Sequence, residues 1–385
     1  MSLAHHGLAS EAALHGPTSN TTMNSPDRPF MYAWRLTGPG GSFTYERVPI
    51  PNVRSGTVLV RMEATPVLSY LKKYVQGLPN YLYPKVPFTP GTNGAGTVAA
   101  VGGDVWHVKL GQRVVVSPYM VATENVEEPA QMLGGLTAIS PDSEPFFTTW
   151  RDGTLAEYLL APVNVVTPVD DPSLSSDSLA LLGRLAVPFG GLLRGRFSPG
   201  ETAVIIGATG NFGSAAVLLA CALGAERVVA AGRNSQRLAD VAKAAGNRVY
   251  PVALTGDLQA DTAALRSAAG GGAHFAFDMV GRAQNAEATL AGLKSLRRWG
   301  RLVLMGSMAV PLPLTYAEVM WNNLEIIGHF MYPPNVFMKL LALIRSGLLD
   351  LRAIQMQRFS LADLPAAMDV AETAGGLSCT VVNAS

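Results

Sequence analysis

The sequence predicts a mixed α/β protein: a small barrel of short strands followed by a doubly wound parallel sheet. Three observations carry this. Between about Pro168 and Phe330, six apolar runs alternate with helical patterns, as strands covered on both faces and joined by crossover helices do. The stretch 204–216, VIIGATGNFGSAA, packs three evenly spaced glycines between the first of these runs and the first helix. Ahead of it, β-rich segments punctuated by Gly and Pro run from residue 30 to residue 162, the pattern of short strands with tight corners.

Strand signals open with FMYAWRLTG (30–38), FTYERVPI (43–50) and TVLVRMEATP (57–66). AGTVAAVG (95–102), QRVVVSPY (112–119) and TLAEYLLAP (154–162) form a second block. Residues 120–153 show no period and are predicted as a long loop, and loops of that length in compact proteins usually have a use. Their Phe146, Phe147 and Trp150 either wall a cleft, form a subunit contact, or are covered by the loop itself. The parallel sheet is predicted from TAVIIG, RVVAAG, RVYPV, HFAFDMVG, GRLVLMG and LEIIGHF. Residues 334–385 add a helix, the strand-like AIQMQRFS, a second helix and the strand CTVVN, predicted to return to the barrel. The resulting division is an N-terminal arm (1–28), a barrel unit (29–167), a parallel-sheet unit (168–330) and the return (331–385).

Composition narrows the partners. Of the 385 residues, 48% are hydrophobic and 15% charged, with 29 Lys+Arg against 28 Asp+Glu. So even a balance creates no field that gathers polyanions, which argues against nucleic acid or anionic membrane as the main partner. No apolar stretch approaches the ~20 residues that span a bilayer. Residues 1–28 lack a basic segment followed by an apolar core, so they read as a flexible arm or a leader upstream of Met23, not as a secretory signal. Cys221 and Cys379 are too few for a disulfide framework, and a reducing, cytoplasmic location is the default expectation.

The glycines point to a dinucleotide. Gly207 would form the turn, Gly210 would allow close approach of pyrophosphate, and Gly213 would permit tight helix–strand packing. Ala208, Thr209, Asn211 and Phe212 complete the cradle, and the helix N-terminus offers free N–H groups to phosphate. The alternative is a tight turn without a ligand. About twenty residues further on, an NAD enzyme carries an acid for the ribose hydroxyls. Here Gly232 stands at that position, with Arg233 and Asn234 beside it. A glycine leaves room for a 2′-phosphate and an arginine offers it charged donors, which predicts NADPH; otherwise Arg233 is simply solvated at a helix start. Val280 and Gly281, and Gly306, Ser307 and Met308, end strands on the side where such sheets bind ligands, and are predicted to line the nicotinamide and ribose.

Together, PFTPGTNGAGTVAAVG, GTLAEYLLAP, GATGNFG, FDMVG and the C-terminal return resemble the medium-chain dehydrogenase/reductase superfamily over residues 30 to 385. The resemblance implies a GroES-like barrel and a Rossmann sheet, and looks closest to the zinc-independent branch of quinone oxidoreductases and alkenal or enoyl reductases. Zinc-dependent members use a Cys, a His in a GHE-like motif and a further Cys or Asp. Here that motif reads Gly91-Thr92-Asn93 and the first-ligand region, ATPVLSYLKKY, has no cysteine. The six histidines are too scattered to converge with thiolates as zinc requires, so no metal is predicted.

Tyr81, twelve residues before Asn93, resembles the tyrosine of the enoyl reductases, and Tyr83-Pro84 resembles the Tyr-Pro of quinone oxidoreductases. Either phenol would donate to a carbonyl or protonate an enolate, or both pack the lid of the barrel. Asn93 would hydrogen-bond substrate or cofactor, or serve structure alone. The expectation is an NADPH-dependent reductase of a small apolar enone, enal or quinone. The rivals are a zinc-free ketone or imine reductase, and an NADPH-binding sensor or scaffold with little turnover. The resemblance further implies a homodimer built through LEIIGHF.

Overall fold

The computed structural model describes residues 28–78, 81–281 and 283–384. Apart from Arg28, the predicted N-terminal arm lies outside these residues. The chain opens with a hairpin of β1 (Phe30–Leu36) and β2 (Phe43–Pro49). Next come β3 (Thr57–Pro66), α1 (Leu71–Val75), β4 (Gly94–Val101) and β5 (Arg113–Val116). β3 is the centre of the barrel unit, pairing with β4 on one side along most of its length and with a later strand on the other.

Residues 120–153, expected to be a loop, are in large part ordered structure. β6 (Tyr119–Val121), β7 (Gln131–Leu133) and β8 (Thr137–Ala138) form a small antiparallel sheet, followed by α2 (Glu144–Thr149). Strands of two or three residues are too short to display the alternation that reveals a strand. Phe147 and Met132 are buried in the barrel core, with Phe146 and Trp150 packed against it. Arg54 lies over the Trp150 ring, 4.6 Å from its centroid. These aromatics therefore pack against the barrel, Phe147 fully and Phe146 and Trp150 in part. The base of the insert is pinned as well: a Cβ on Gly135 or Gly153 would collide with the carbonyl oxygen of Gly91.

β9 (Tyr158–Pro162) and β10 (Val166–Pro168) complete the first part of the barrel sheet. α3 (Ser176–Ala180) and α4 (Leu182–Arg194) lead to the second unit. Its strands are β11 (Thr202–Ile206), β12 (Arg227–Gly232), β13 (Val249–Ala253), β14 (Ala273–Asp278), β15 (Leu296–Leu304) and β16 (Glu325–Gly328). The intervening helices are α5 (Asn211–Ala222), α6 (Ser235–Ala245), α7 (Leu258–Ala268), α8 (Glu287–Lys294) and α9 (Tyr316–Trp321). All neighbours run parallel in the order β13-β12-β11-β14-β15-β16. Every residue of β11 is buried, as a central strand covered on both faces requires. The chain leaves β11 toward one edge of the sheet and later returns to its other side, so a crevice opens at its carboxyl end.

The return differs from expectation in one respect. α10 (Val336–Arg345) packs on α4 in the core that also holds Ala203 and Ile205 of β11. Only β17 (Gln355–Ser360), α11 (Leu364–Thr373) and β18 (Ser378–Asn383) rejoin the barrel, through β18 against β3. The apolar face of α10 is satisfied by the nearer helix, so the crossing occurs after it. α4 itself joins the two units: Leu185, Ala186 and Phe189 share a core with Ala64, Ala95 and Val115 of the barrel and with β11. Each such fully buried Leu or Phe contributes roughly 1.5–3 kcal/mol.

Docking of the insert is testable. Phe147→Ala is expected to destabilise the protein by about 3–5 kcal/mol in urea melts; a loss below about 1 kcal/mol would mean that the insert is not part of the barrel core.

Candidate functional site: a glycine-floored groove at the carboxyl ends of the parallel strands

The turn after β11 meets three separate demands. Gly207 has φ +82°, a backbone conformation that side chains disfavour. A Cβ on Gly213 would collide with the Gly207 carbonyl, so α5 can start this close to the strand only with glycine there. A Cβ on Gly210 would meet only the Gly207 oxygen, at 3.3 Å, and space lies open in front of it. Gly210 caps α5 without any side-chain hydrogen bond, which leaves first-turn N–H groups free for an anion. The Asn211 Oδ1 atom is buried and has no partner. A phosphate-bearing dinucleotide fits this cradle of open space and free first-turn N–H groups, to which the Asn211 oxygen, an acceptor, adds no donor.

Three other predicted segments converge on it. A Cβ on Gly207 would lie 3.0 Å from the Met279 oxygen, and one on Gly306 would collide with the Val280 oxygen. Gly281 in turn faces Ser307, whose Oγ would be 3.1 Å from a Cβ at 281. The turn at 207–213, Val280 and Gly281, and Gly306 and Ser307 therefore lie against one another at the carboxyl ends of the strands. Asp278 orders its wall: Oδ1 accepts from the Val280 N–H at 2.8 Å and Oδ2 from the Thr289 hydroxyl at 2.7 Å. Burial raises the Asp278 carboxyl above its ordinary range, against the opposing pull of these two hydrogen bonds.

At the end of β12, Gly232 packs beneath Thr209, whose Cγ2 would lie 2.8 Å from a Cβ at 232. An acid at that position would have to displace Thr209. Arg233 is exposed. Asn234, expected to face the cofactor, uses its side-chain oxygen to cap α6, accepting from the Arg237 N–H at 2.9 Å. This is what an Asn directly before a helix does best. Arg237 itself donates to the Thr373 carbonyl at 3.2 Å.

The polar groups foreseen on the barrel side are largely committed elsewhere. Asn93 is buried and its Nδ2 donates to the Ala180 carbonyl at 2.8 Å, with Gly183 pressed so close that a Cβ there would strike the amide. Tyr83 donates to the Tyr74 carbonyl at 2.6 Å and stacks on the Tyr74 ring at 4.6 Å. Of the two readings of each residue, the structure thus favours the structural one: the Tyr83 proton is in use, and buried Asn93 spends one of its two amide protons on Ala180. Tyr81 lies against Tyr70 and Tyr74, 6.2 and 5.7 Å between centroids, and its phenol makes no hydrogen bond to backbone among the described residues. Burial, then the neighbouring Tyr81, pushes the Tyr70 phenol well above its ordinary range.

A zinc site does not fit these residues. Among the described residues no three His, Cys, Asp or Glu side chains are grouped to hold a metal. The Gly91-Thr92-Asn93 turn offers a buried Thr92 hydroxyl without a partner and an amide already engaged.

Sequence reasoning passed over Asp278, the Tyr70–Tyr74 pair and Arg184, a buried cation on α4 that touches the first turn of α5. Only Arg184 carried a visible signal, as the one charge inside the apolar run LALLGRLAVPFGGLL.

Comparison with known proteins agrees with this architecture. A model described as the alcohol dehydrogenase GroES-like domain matches residues 54–171, and one described as zinc-binding dehydrogenase matches residues 212–346. An alcohol dehydrogenase of Moraxella sp. (strain TAE123) is 32% identical over 290 residues, covering 75% of this chain and 81% of the relative. A sorbitol dehydrogenase of Bacillus subtilis (strain 168) is 28% identical over 329 residues, covering 84% and 89%. A solved structure described as a zinc-binding dehydrogenase from Sinorhizobium meliloti 1021 bound to NADP has TM-score 0.75 at 21% identity. It covers 92% of this chain and 100% of its own, and at that identity the likeness establishes the fold. The two-unit architecture and its dehydrogenase relatives define a nicotinamide-dependent oxidoreductase. The chain belongs to the medium-chain dehydrogenase/reductase superfamily.

Asp278 gives a pH prediction. Its folded-state value is raised, so the native chain holds this proton more tightly than the unfolded chain. That contribution to stability is complete below the ordinary carboxylate range and is lost as pH rises through the raised value. As pH rises above the ordinary carboxylate range, Asp278→Asn is expected to lose less stability than wild type in urea melts. Equal losses would contradict a buried ionisation at this position.

Proposed function

We propose that this oxidoreductase is an NADPH-dependent, zinc-independent reductase that passes a hydride to an activated C=C of an enone or enal, or to a quinone. The observation that carries it is the end of β12, where Gly232 packs beneath Thr209 and exposed Arg233 follows. No carboxylate there repels a 2′-phosphate, and a guanidinium stands beside the space.

A bound nicotinamide dinucleotide supplies the hydride. The chain's own work is positioning. Gly207, Ala208, Thr209, Gly210, Asn211, Phe212 and Gly213 floor the pyrophosphate site at the start of α5, and Arg233 faces the 2′-phosphate. Val280, Gly281, Gly306, Ser307 and Met308 hold the ribose and nicotinamide toward the barrel. Fixing reactants in this way replaces a chance encounter with an oriented one.

The choice of acceptor follows from the donor set at the Gly91-Thr92-Asn93 turn, which lacks the imidazole and thiolate ligands that zinc needs. Hydrogen bonding suffices for a conjugated acceptor, in which charge moves onto an enolate that then takes a proton. Tyr81, whose phenol has no hydrogen bond to backbone among the described residues, supplies that proton. Alcohol–carbonyl interconversion is the second reading, favoured by the names of the Moraxella and Bacillus relatives.

Fluorescence titration tests the cofactor. NADPH is expected to bind about tenfold or more tighter than NADH, with Arg233→Ala removing most of the difference; equal affinities unaffected by the substitution would overturn it. Product analysis with an enone separates the reactions: a saturated ketone supports the first reading, and an allylic alcohol supports the second.

A further inference from the structure

Arg184 is 7% exposed, and among the described residues no carboxylate balances its charge. From α4, its Nε donates to the Asn211 carbonyl at 2.8 Å and its Nη1 to the Ser378 carbonyl at 2.7 Å. Nη2 donates to the Ser214 hydroxyl at 2.8 Å and to the Gly376 carbonyl. All four partners are neutral, and among the described residues Arg184 belongs to no ion pair. Burial holds its guanidinium below the ordinary arginine range, opposed only by the Cys379 thiol.

Such a cation is expensive to bury without a counter-charge. Its position makes the imbalance worse. Asn211 and Ser214 lie in the first turn of α5, where the helix macrodipole is itself positive. Two positive sources therefore coincide, and the open side of the same turn is the glycine cradle.

The fork also ties down a strap. The Gly376 N–H donates to the Thr209 carbonyl at 2.8 Å, and the Ser214 hydroxyl donates to the Gly376 carbonyl at 2.6 Å. The segment from Gly375 to Ser378 thus lies along the glycine turn just before β18 enters the barrel sheet.

We propose that Arg184 is a positioning residue for the cofactor's pyrophosphate: its charge, delivered through the first turn of α5, is balanced when the dinucleotide binds. The inference rests on reading the glycine turn as a dinucleotide site. Water does not reach the guanidinium freely, so salt screens its field only weakly. The charge is what acts on the phosphate, and the geometry of the fork serves the strap.

Arg184→Lys keeps the charge and loses the fork, whereas Arg184→Gln keeps a donor and loses the charge. Full-length wild type and both variants are titrated with NADPH and with inorganic pyrophosphate, and their melting temperatures are recorded without ligand. Arg184→Gln is expected to weaken both ligands about tenfold or more, which is about 1.4 kcal/mol. Arg184→Lys is expected to weaken them less than about threefold, although both variants melt below wild type. Equal weakening by Lys and Gln, or no weakening by Gln, would overturn the proposal while leaving the dinucleotide reading intact. Wild type that binds neither NADPH nor NADH would overturn that reading, and this inference with it. If Arg184→Gln does not fold, Arg184→Lys still decides: near-native affinity supports action through charge, and a tenfold loss contradicts it.

Discussion

The contact between the start of α5 and the carbonyl of Gly207 governs most of this structure. It exists because position 213 has no side chain, and it brings the helix N-terminus directly over the end of the central strand. From that placement the groove follows: the Met279–Gly281 segment lies against Gly207, and Gly306 closes against Val280. Glycine is required on both sides of these approaches because backbone meets backbone. A side chain at 213 or 306 would push apart the backbone segments whose close approach shapes the site.

The barrel is joined to this groove by a short run of the chain with few degrees of freedom. Asn93 holds the Ala180 carbonyl beneath Gly183, and the next residue, Arg184, grips the first turn of α5 and the strap before β18. The insert braces the same barrel turn from another side, through Gly135 and Gly153 against Gly91. The Gly91-Thr92-Asn93 turn and the glycine turn are thus held through one helix. At the barrel turn the Asn93 amide is directed to the Ala180 carbonyl, while the buried Thr92 hydroxyl has no partner among the described residues.

How much of this was legible depended on the range of the forces involved. The parallel sheet was legible because strands buried on both faces must be apolar throughout, and each is followed by an amphipathic or small-residue helix. The turn at Gly207 and the close helix packing at Gly213 were legible because local backbone geometry sets them. Asn234 is a local case missed: an Asn immediately before SQRLADVAKAA is a helix cap by the same rules that located the helix. Tyr83 and Asn93 were misread for a different cause. Their partners are the carbonyls of Tyr74 and Ala180, and no pattern within either segment announces which carbonyl the fold will bring near. The insert defeated periodicity because its strands are shorter than one full alternation, and α10 was assigned to the barrel side because its apolar face fits either unit.

The central claim is that four segments remote in sequence act as one dinucleotide groove: the glycine turn, Val280–Gly281, Gly306–Met308 and the strap at Gly375–Ser378. Amide hydrogen exchange on the full-length chain, with and without saturating NADPH, tests it most directly. The account predicts that protection rises in all four segments together and changes little on the outer face of the barrel around Trp150. Protection confined to the barrel, or absent from the glycine turn while NADPH is bound, would contradict it.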